Sequence, residues 1–321
     1  MKYARQFFIH TVFATAFISL APAALACSSC GCTLSADWDS QGYSVTPGLR
    51  IDLRYDYLDQ SQLRSGKGSI DRGSIGLPAD REIEQDTKNQ YTTLGLDYSA
   101  NRDWGFNLQI PYIHRTHSTI AEGDTDLSTS TTRHLGDVKV LTRYQGFVAE
   151  KNFGVQFGVK LPTGSFHDTF RSGPQADNPL DRGLQAGTGT TDVLFGLYHF
   201  ATLSRNWDYF AQGMIQAPLA AREDFKPGNS LNINVGVRYM ASEKIIPQLQ
   251  LNARVVGKDS GDQADRDNSG GRLVYLSPGI TVEISKQVKA FGFLQVPIYQ
   301  YVNGYQLTPR TTFSLGLRYA M

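Results

Sequence analysis

After residue 26 the chain has no apolar run long enough to cross a bilayer as a helix, which excludes a helical membrane protein and leaves strands untouched. A dominant charge is missing too: 31 Lys and Arg stand against 30 Asp and Glu, so no net field marks the chain for nucleic acid. Cysteine is scarce, with all 3 copies confined to residues 27–32. No serine stands with a histidine on one strand face at a spacing useful for nucleophilic catalysis, so the sequence predicts no enzyme. A hydrophobic content of 40% and a mean hydropathy of −0.31 would suit a soluble protein. They equally suit a membrane barrel, whose strands are apolar on one face only.

What the chain does have is long strands. Segments 229–241, 244–257 and 307–320 hold a period of two for roughly twice the usual strand length of about 5 to 6 residues. A tilted bilayer-spanning strand needs about 9 to 11 residues, and in hydrocarbon every backbone N–H and C=O must pair inside a closed sheet. Leu231, Ile233, Val235, Val237 and Tyr239 share one face, opposite Asn232, Asn234, Gly236 and Arg238. Phe313, Leu315, Leu317 and Tyr319 alternate with Ser314, Gly316 and Arg318, and Leu49, Ile51, Leu53, Tyr55 and Tyr57 with Arg50, Asp52, Arg54 and Asp56. The expected fold is an all-β, transmembrane up-and-down antiparallel β-barrel of about 12 strands over residues 43–321.

Its strands are expected at 43–59, 90–100, 104–116, 135–148, 153–163, 189–203, 207–221, 229–241, 244–257, 271–285, 288–301 and 306–320. Tight turns at 101–103, 150–152, 204–206, 242–243 and 286–287 separate them on one side, and polar loops at 60–89, 117–134, 164–188 and 258–270 on the other. Short turns of such barrels face the periplasm, so both termini are expected there, in a bacterial outer membrane. Tyr98, Trp104, Phe147, Phe153, Phe200, Trp207, Tyr239 and Tyr319 fall beside the tight turns, and Tyr55, Tyr57, Tyr112, Tyr299 and Tyr301 near the opposite ends, as two interfacial girdles require.

Residues 1–26 read as a secretory leader: Lys2 and Arg5, an apolar stretch from Phe7 to Leu20, and an Ala24-Leu25-Ala26 cleavage site. Residues 27–42 then form a periplasmic segment carrying Cys27, Cys30 and Cys32. Three thiols at this spacing could hold Cu(I) or Zn²⁺, with a fourth ligand from a periplasmic metal or thiol partner. A Cys27–Cys30 disulfide, structural or redox-active, and lipidation of Cys27 are the competing readings.

The long loops carry weaker signals. Asp259, Asp262, Asp265 and Asp267 begin like a calcium loop, but Leu276 stands where a bidentate Glu belongs, so the stretch reads as a solvated acidic loop. His114, His117, His134 and His167 lie near outer strand ends and could converge on a metal. Alternation with the apolar face assigns to the lumen Arg50, Asp52, Arg54, Asp56, Asp97, Asp137, Lys139, Arg143, Lys160, Asp192, Arg238, Arg254, Glu283, Lys289 and Arg318. Both signs are present, so this set can plug the barrel with ion pairs or line a pore that favours anions if water reaches it.

Four segments resemble a known barrel family: Leu135-Gly136-Asp137-Val138, Lys160-Leu161-Pro162-Thr163-Gly164, the run Leu184 to Asp192 (LQAGTGTTD), and the run Gln295 to Gly304 (QVPIYQYVNG). Over roughly residues 90–320 they resemble the outer-membrane transporters named after a meta-pathway of phenol degradation. The resemblance implies a barrel that passes a small solute, aromatic or hydrophobic, across outer-membrane lipid. The rival expectation is a non-conducting barrel that presents the cysteines for copper, zinc or redox binding. In Pro162, Gly164, Gly187 and Gly189 the motifs also have a structural reading, as points where strands leave and re-enter the sheet.

Overall fold

The computed structural model describes residues 46–242 and 244–321. The leader and the cysteine segment lie outside these residues, as does Glu243 of the 242–243 turn. The described strands are β1 Gly48–Gly66, β2 Gly68–Ser69, β3 Ile83–Ser99, β4 Trp104–Ile120, β5 Ser128–Leu135, β6 Val138–Tyr144, β7 Phe153–Leu161, β8 Asp192–Ser204, β9 Trp207–Pro218, β10 Ser230–Tyr239, β11 Ile245–Val256, β12 Gly271–Glu283 and β13 Val288–Ala320. Eleven of them form a closed antiparallel ring, with β2 and β5 attached outside the path. Closure comes from β1 on β13, paired from Arg50↔Ala320 to Gly66↔Val302.

The expected strands at 288–301 and 306–320 are one continuous β13 of 33 residues. Its first arm pairs with β12 and its second with β1, so it passes through the wall twice and the expected 12 passes are retained. Gly304, at a positive φ of 50°, marks the reversal, where a glycine carries no steric penalty.

The wall is uneven in height. β1, β3 and β4 run 19, 17 and 17 residues, whereas β7 has only 9 and β10 only 10. Strand therefore occupies parts of the expected loops 60–89 and 117–134. Apolar alternation could not reveal this, because on β4 Thr116 and Ser118 alternate with Arg115, His117 and Thr119, polar on both faces. Paired bulges at Asp59, Gln60 and Gln62 shift the register of β1 and turn Leu63 inward, where it packs on Ile83 and Leu307.

β4 pairs with β6 over its inner half and with β5 over its outer half, so β5 and β6 form one stave broken at Gly136 and Asp137. Beyond that break β5 has no strand on its other side among the described residues, only the bridge Thr129↔Ser172.

The outer face is apolar. Val235, Leu315 and Leu317 are 44%, 54% and 50% exposed, while Asn234, Ser314 and Arg318 between them are buried. Rings cluster near the tight turns: Trp104 lies 4.7 Å from Tyr144, Tyr144 4.8 Å from Phe147, and Trp207 5.0 Å from Tyr239. At the other end Tyr57 stacks on Phe313 at 5.2 Å. Amphipathic rings settle at the headgroup level, so these two zones bracket the bilayer.

Replacing Val235 with Arg puts a charge on the lipid face and is expected to lower barrel stability by about 2–4 kcal/mol. Val235→Leu should cost well under half of that. Reversible urea unfolding in lipid bilayers measures both, and equal stabilities would place Val235 away from lipid.

Candidate functional site

Inside the ring, period-two alternation brings the charged side chains within reach of one another. Asp97 on β3 accepts from Arg50 at 3.0 Å and from Arg143 at 2.9 Å. Arg318 meets Asp52 at 2.7 Å, and Arg54 meets Asp56 at 2.8 Å. These pairs brace β1, β3, β6 and β13 across the interior. Arg238 pairs with Asp208 at 3.4 Å, while Glu283 and Lys289 stand 3.8 Å apart and a third exposed.

The opposite part of the interior is built from amides, which a search for charges passes over. Gln212 donates to Gln156, Asn234 to Gln212, Asn252 to Asn234, and Gln248 to Thr281. Buried amides satisfied by one another pin neighbouring strands without the desolvation cost of ions.

Three of the four resemblance segments meet at one point. The Asp137 carboxylate, at the break between β5 and β6, accepts from the Gly164 N–H at 3.0 Å, the Thr188 N–H at 3.0 Å, the Thr188 hydroxyl at 2.8 Å and the Lys160 ammonium at 2.9 Å. Lys160 also contacts Thr188 and reaches Asp192 at 3.2 Å. Thr190 and Gln216 donate to Asp192 in turn. Glycine is required here because a Cβ on Gly164 would sit 2.7 Å from the Gly187 Cα, and one on Gly187 would collide with the Gly164 carbonyl. The knot ties residues 162–191 to the wall and directs part of that segment into the barrel, where Arg182, Leu184, Gln185 and Ala186 are buried.

This inserted segment divides the space. An inner cavity of about 210 Å³ is lined by Arg54, Arg115, Lys139, Lys160, Arg182 and Arg254, with Asp137 as the one described carboxylate, and by an apolar side that includes Tyr91 and Ile113. An outer cavity of about 30 Å³ is lined by Glu82, Glu84, Asp181, Asp259 and Asp265. Arg182, Gly183 and Phe225 line both. The Arg182 guanidinium lies 4.4 Å over the Phe166 ring and 5.1 Å over Phe225, and donates to the Thr188 carbonyl at 3.0 Å.

In the outer cavity burial, with Asp265 adding repulsion, pushes the Asp181 carboxyl up to about 6. Burial does the same for Asp259, also to about 6, against the Gly228 N–H that it accepts. Burial, then the neighbouring Asp181 and Glu84, hold Glu82 well above the ordinary range. Asp259 is thus a buried acceptor, in contrast to the solvated loop read from the sequence. The histidines disperse: His117 bonds Thr87, His134 meets Asp168 and His167 meets Glu223. Among the described residues no group of three metal-ligating side chains converges.

Arg115, Arg182, Glu82 and Asp181 are absent from the sequence-derived lumen set. Arg115 was accessible to the same alternation, since it continues the inward face of β4. Arg182 and Asp181 lie in an aperiodic segment and had no signal.

Comparison with solved structures identifies the architecture. An outer membrane channel from Pseudomonas putida F1 superposes with a TM-score of 0.64 at 12% identity, over 87% of this chain and 97% of that one. The chain has the fold of an outer-membrane β-barrel. The translocator domain of the autotransporter NalP from Neisseria meningitidis matches with a TM-score of 0.50 at 10% identity, over 86% and 89% of the two chains. One architecture serves a channel and a translocator, so function must be argued from the interior. No family model and no curated protein matches the sequence.

Two outcomes are expected. Asp137→Ala strips four donors of their acceptor and should free residues 164–188 for protease cleavage while the barrel keeps its heat-modifiable gel migration; unchanged cleavage would dissociate the knot from loop anchoring. For Asp181 and Asp259, folded values above the ordinary one of about 4 mean that the fold favours the protonated form. Their stabilising contribution is full below pH about 4 and is lost as pH rises through about 6. Hydrogen-exchange protection in 176–188 and 258–270, taken relative to the intrinsic exchange rate at each pH, should therefore be greater at pH 5 than at pH 7.5, with Asp181→Asn reducing the difference.

Proposed function

We propose that the protein is an outer-membrane channel that passes a small solute between the cell exterior and the periplasm, with both termini on the periplasmic side. The observation that carries this reading is the cavity inside a closed barrel, lined by charged and apolar side chains and separated from the outer loops by Arg182, Gly183 and Phe225. A barrel serving only as a scaffold has no need for such a chamber behind a constriction. The meta-pathway resemblance supports a solute with an aromatic or hydrophobic body, and the fifteen inward charged residues are proposed as the polar lining of the path. The charges stay inside because the lipid face would penalise each Arg or Lys by about 2–4 kcal/mol at the midplane, and each Asp or Glu by less.

Purified protein in planar bilayers should show small discrete conductance steps. Arg182→Ala, which removes the side chain shared by both cavities, should enlarge the steps roughly twofold or more, since a cation at a constriction governs passage. Silent bilayers for both proteins would overturn the channel reading and favour a barrel that presents Cys27, Cys30 and Cys32.

A further inference from the structure

The inner cavity carries cations that the protein does not neutralise. Arg54 is matched by Asp56, Arg182 by Glu223, and Lys160 by Asp137 and Asp192. Arg115 is only 3% exposed, yet its partners are all neutral: the Asn89 amide oxygen, the Gly183 and Gln185 carbonyls and the Tyr91 hydroxyl. Arg254 donates from Nη1 to the Asn232 amide oxygen at 2.8 Å. Among the described residues no carboxylate pairs with Arg115 or Arg254, and both line the same cavity.

A guanidinium has five N–H donors in a planar fork that fits a carboxylate. Arg115 uses Nε, two sites on Nη1 and one on Nη2, which roots it in the wall as a fixed charge. Arg254 uses one, and its fork remains open. Buried positive charge without a counterion is costly, and an incoming anion would relieve that cost where it binds.

One side of the wall is apolar, set among polar uncharged residues such as Thr93, Gln109 and Gln216. Tyr91, Ile113 and Ala186 belong to one buried cluster with Leu58, and Pro111 stands beside them on the cavity. An apolar cavity of about 150 Å³ is known to accept benzene, so about 210 Å³ has room for one ring and a small acidic group. Resting on the channel reading, we propose that the inner cavity is a binding site for a small organic anion, a carboxylate with an aromatic or compact apolar body. The carboxylate pairs with the Arg254 fork in the field of Arg115, and the body packs on the Tyr91, Ile113 and Ala186 side. Asp192, behind Lys160, is held by Thr190 and Gln216 and is not among the residues lining the cavity.

The test uses the full chain in detergent with benzoate, its uncharged analogue benzamide, and sulfate, titrated by calorimetry. Benzoate should bind at least tenfold more tightly than benzamide. Arg254→Gln should lose roughly ten- to a hundredfold in benzoate affinity, the usual effect of removing a charged hydrogen-bond partner, with its thermal unfolding unchanged. Benzamide binding as tightly as benzoate, a comparison that needs no variant, would overturn the proposal. So would sulfate competing on equal terms, or equal benzoate affinity in wild type and variant. Bilayer conductance of the same preparation separates the two readings: a barrel that conducts and ignores benzoate removes the anion site alone, and one that binds benzoate and stays silent removes the channel alone.

Discussion

The pairing of β1 with β13 is the interaction on which the remaining structure depends. Until those strands meet, each end of the sheet presents a row of unpaired N–H and C=O groups, which hydrocarbon cannot satisfy. Once they meet, the two faces of every strand are in different media. One face can be uniformly apolar, and the other is released from any demand for hydrophobicity. The Arg50–Asp97–Arg143 and Arg318–Asp52 contacts draw on that release, because their charges lie in the interior and never in lipid.

The interior is graded along its axis. Carboxylates gather at the outer cavity and cations at the inner one, with Arg182 between two aromatic rings at the boundary. The two zones are produced by different means. The cations come largely from strands β4, β6, β7 and β11, whose positions closure dictates. The carboxylates come from the start of β3 and from two loops, and Asp137 with its four donors brings the Asp181 segment into place. A single side chain at a strand break thereby organises a region whose own regular structure is one short 3-10 turn at Arg182–Leu184.

Much of the fold was legible because a closed membrane barrel writes a period of two into its sequence. The strand faces at 231–239 and 313–319 needed only that period. Above the bilayer the period loses its contrast, which is why β4 continues to Ile120 and β5 begins at Ser128 inside an expected loop. The two arms of β13 were read as separate strands since a reversal at Gly304 resembles any turn. The site was legible by halves. Charged residues on spanning strands could be assigned to the interior, but their partners could not, because register between strands such as β6 and β3 depends on the whole ring. Amides escaped notice, being common on both faces of ordinary sheets. Arg182 and Asp181 had no period to betray them. The Gly136, Gly164 and Gly187 motifs were visible as text, and their mutual contact emerges only in three dimensions.

The exposed flank of β5 bears on how the inserted segment can behave. Arg171 and Ser172 donate their N–H groups to the Thr129 carbonyl, Thr129 donates back to Ser172, and the Arg171 side chain reaches the Thr131 carbonyl. Residues 171–172 therefore finish the sheet where no further strand pairs among the described residues. Swinging the segment 162–191 aside would uncover a raw strand border at this end of the barrel as well as breaking the Asp137 knot. It is best regarded as masonry rather than as a hinged door, a fixed part of the wall that the Asp137 knot and the β5 border hold from two sides.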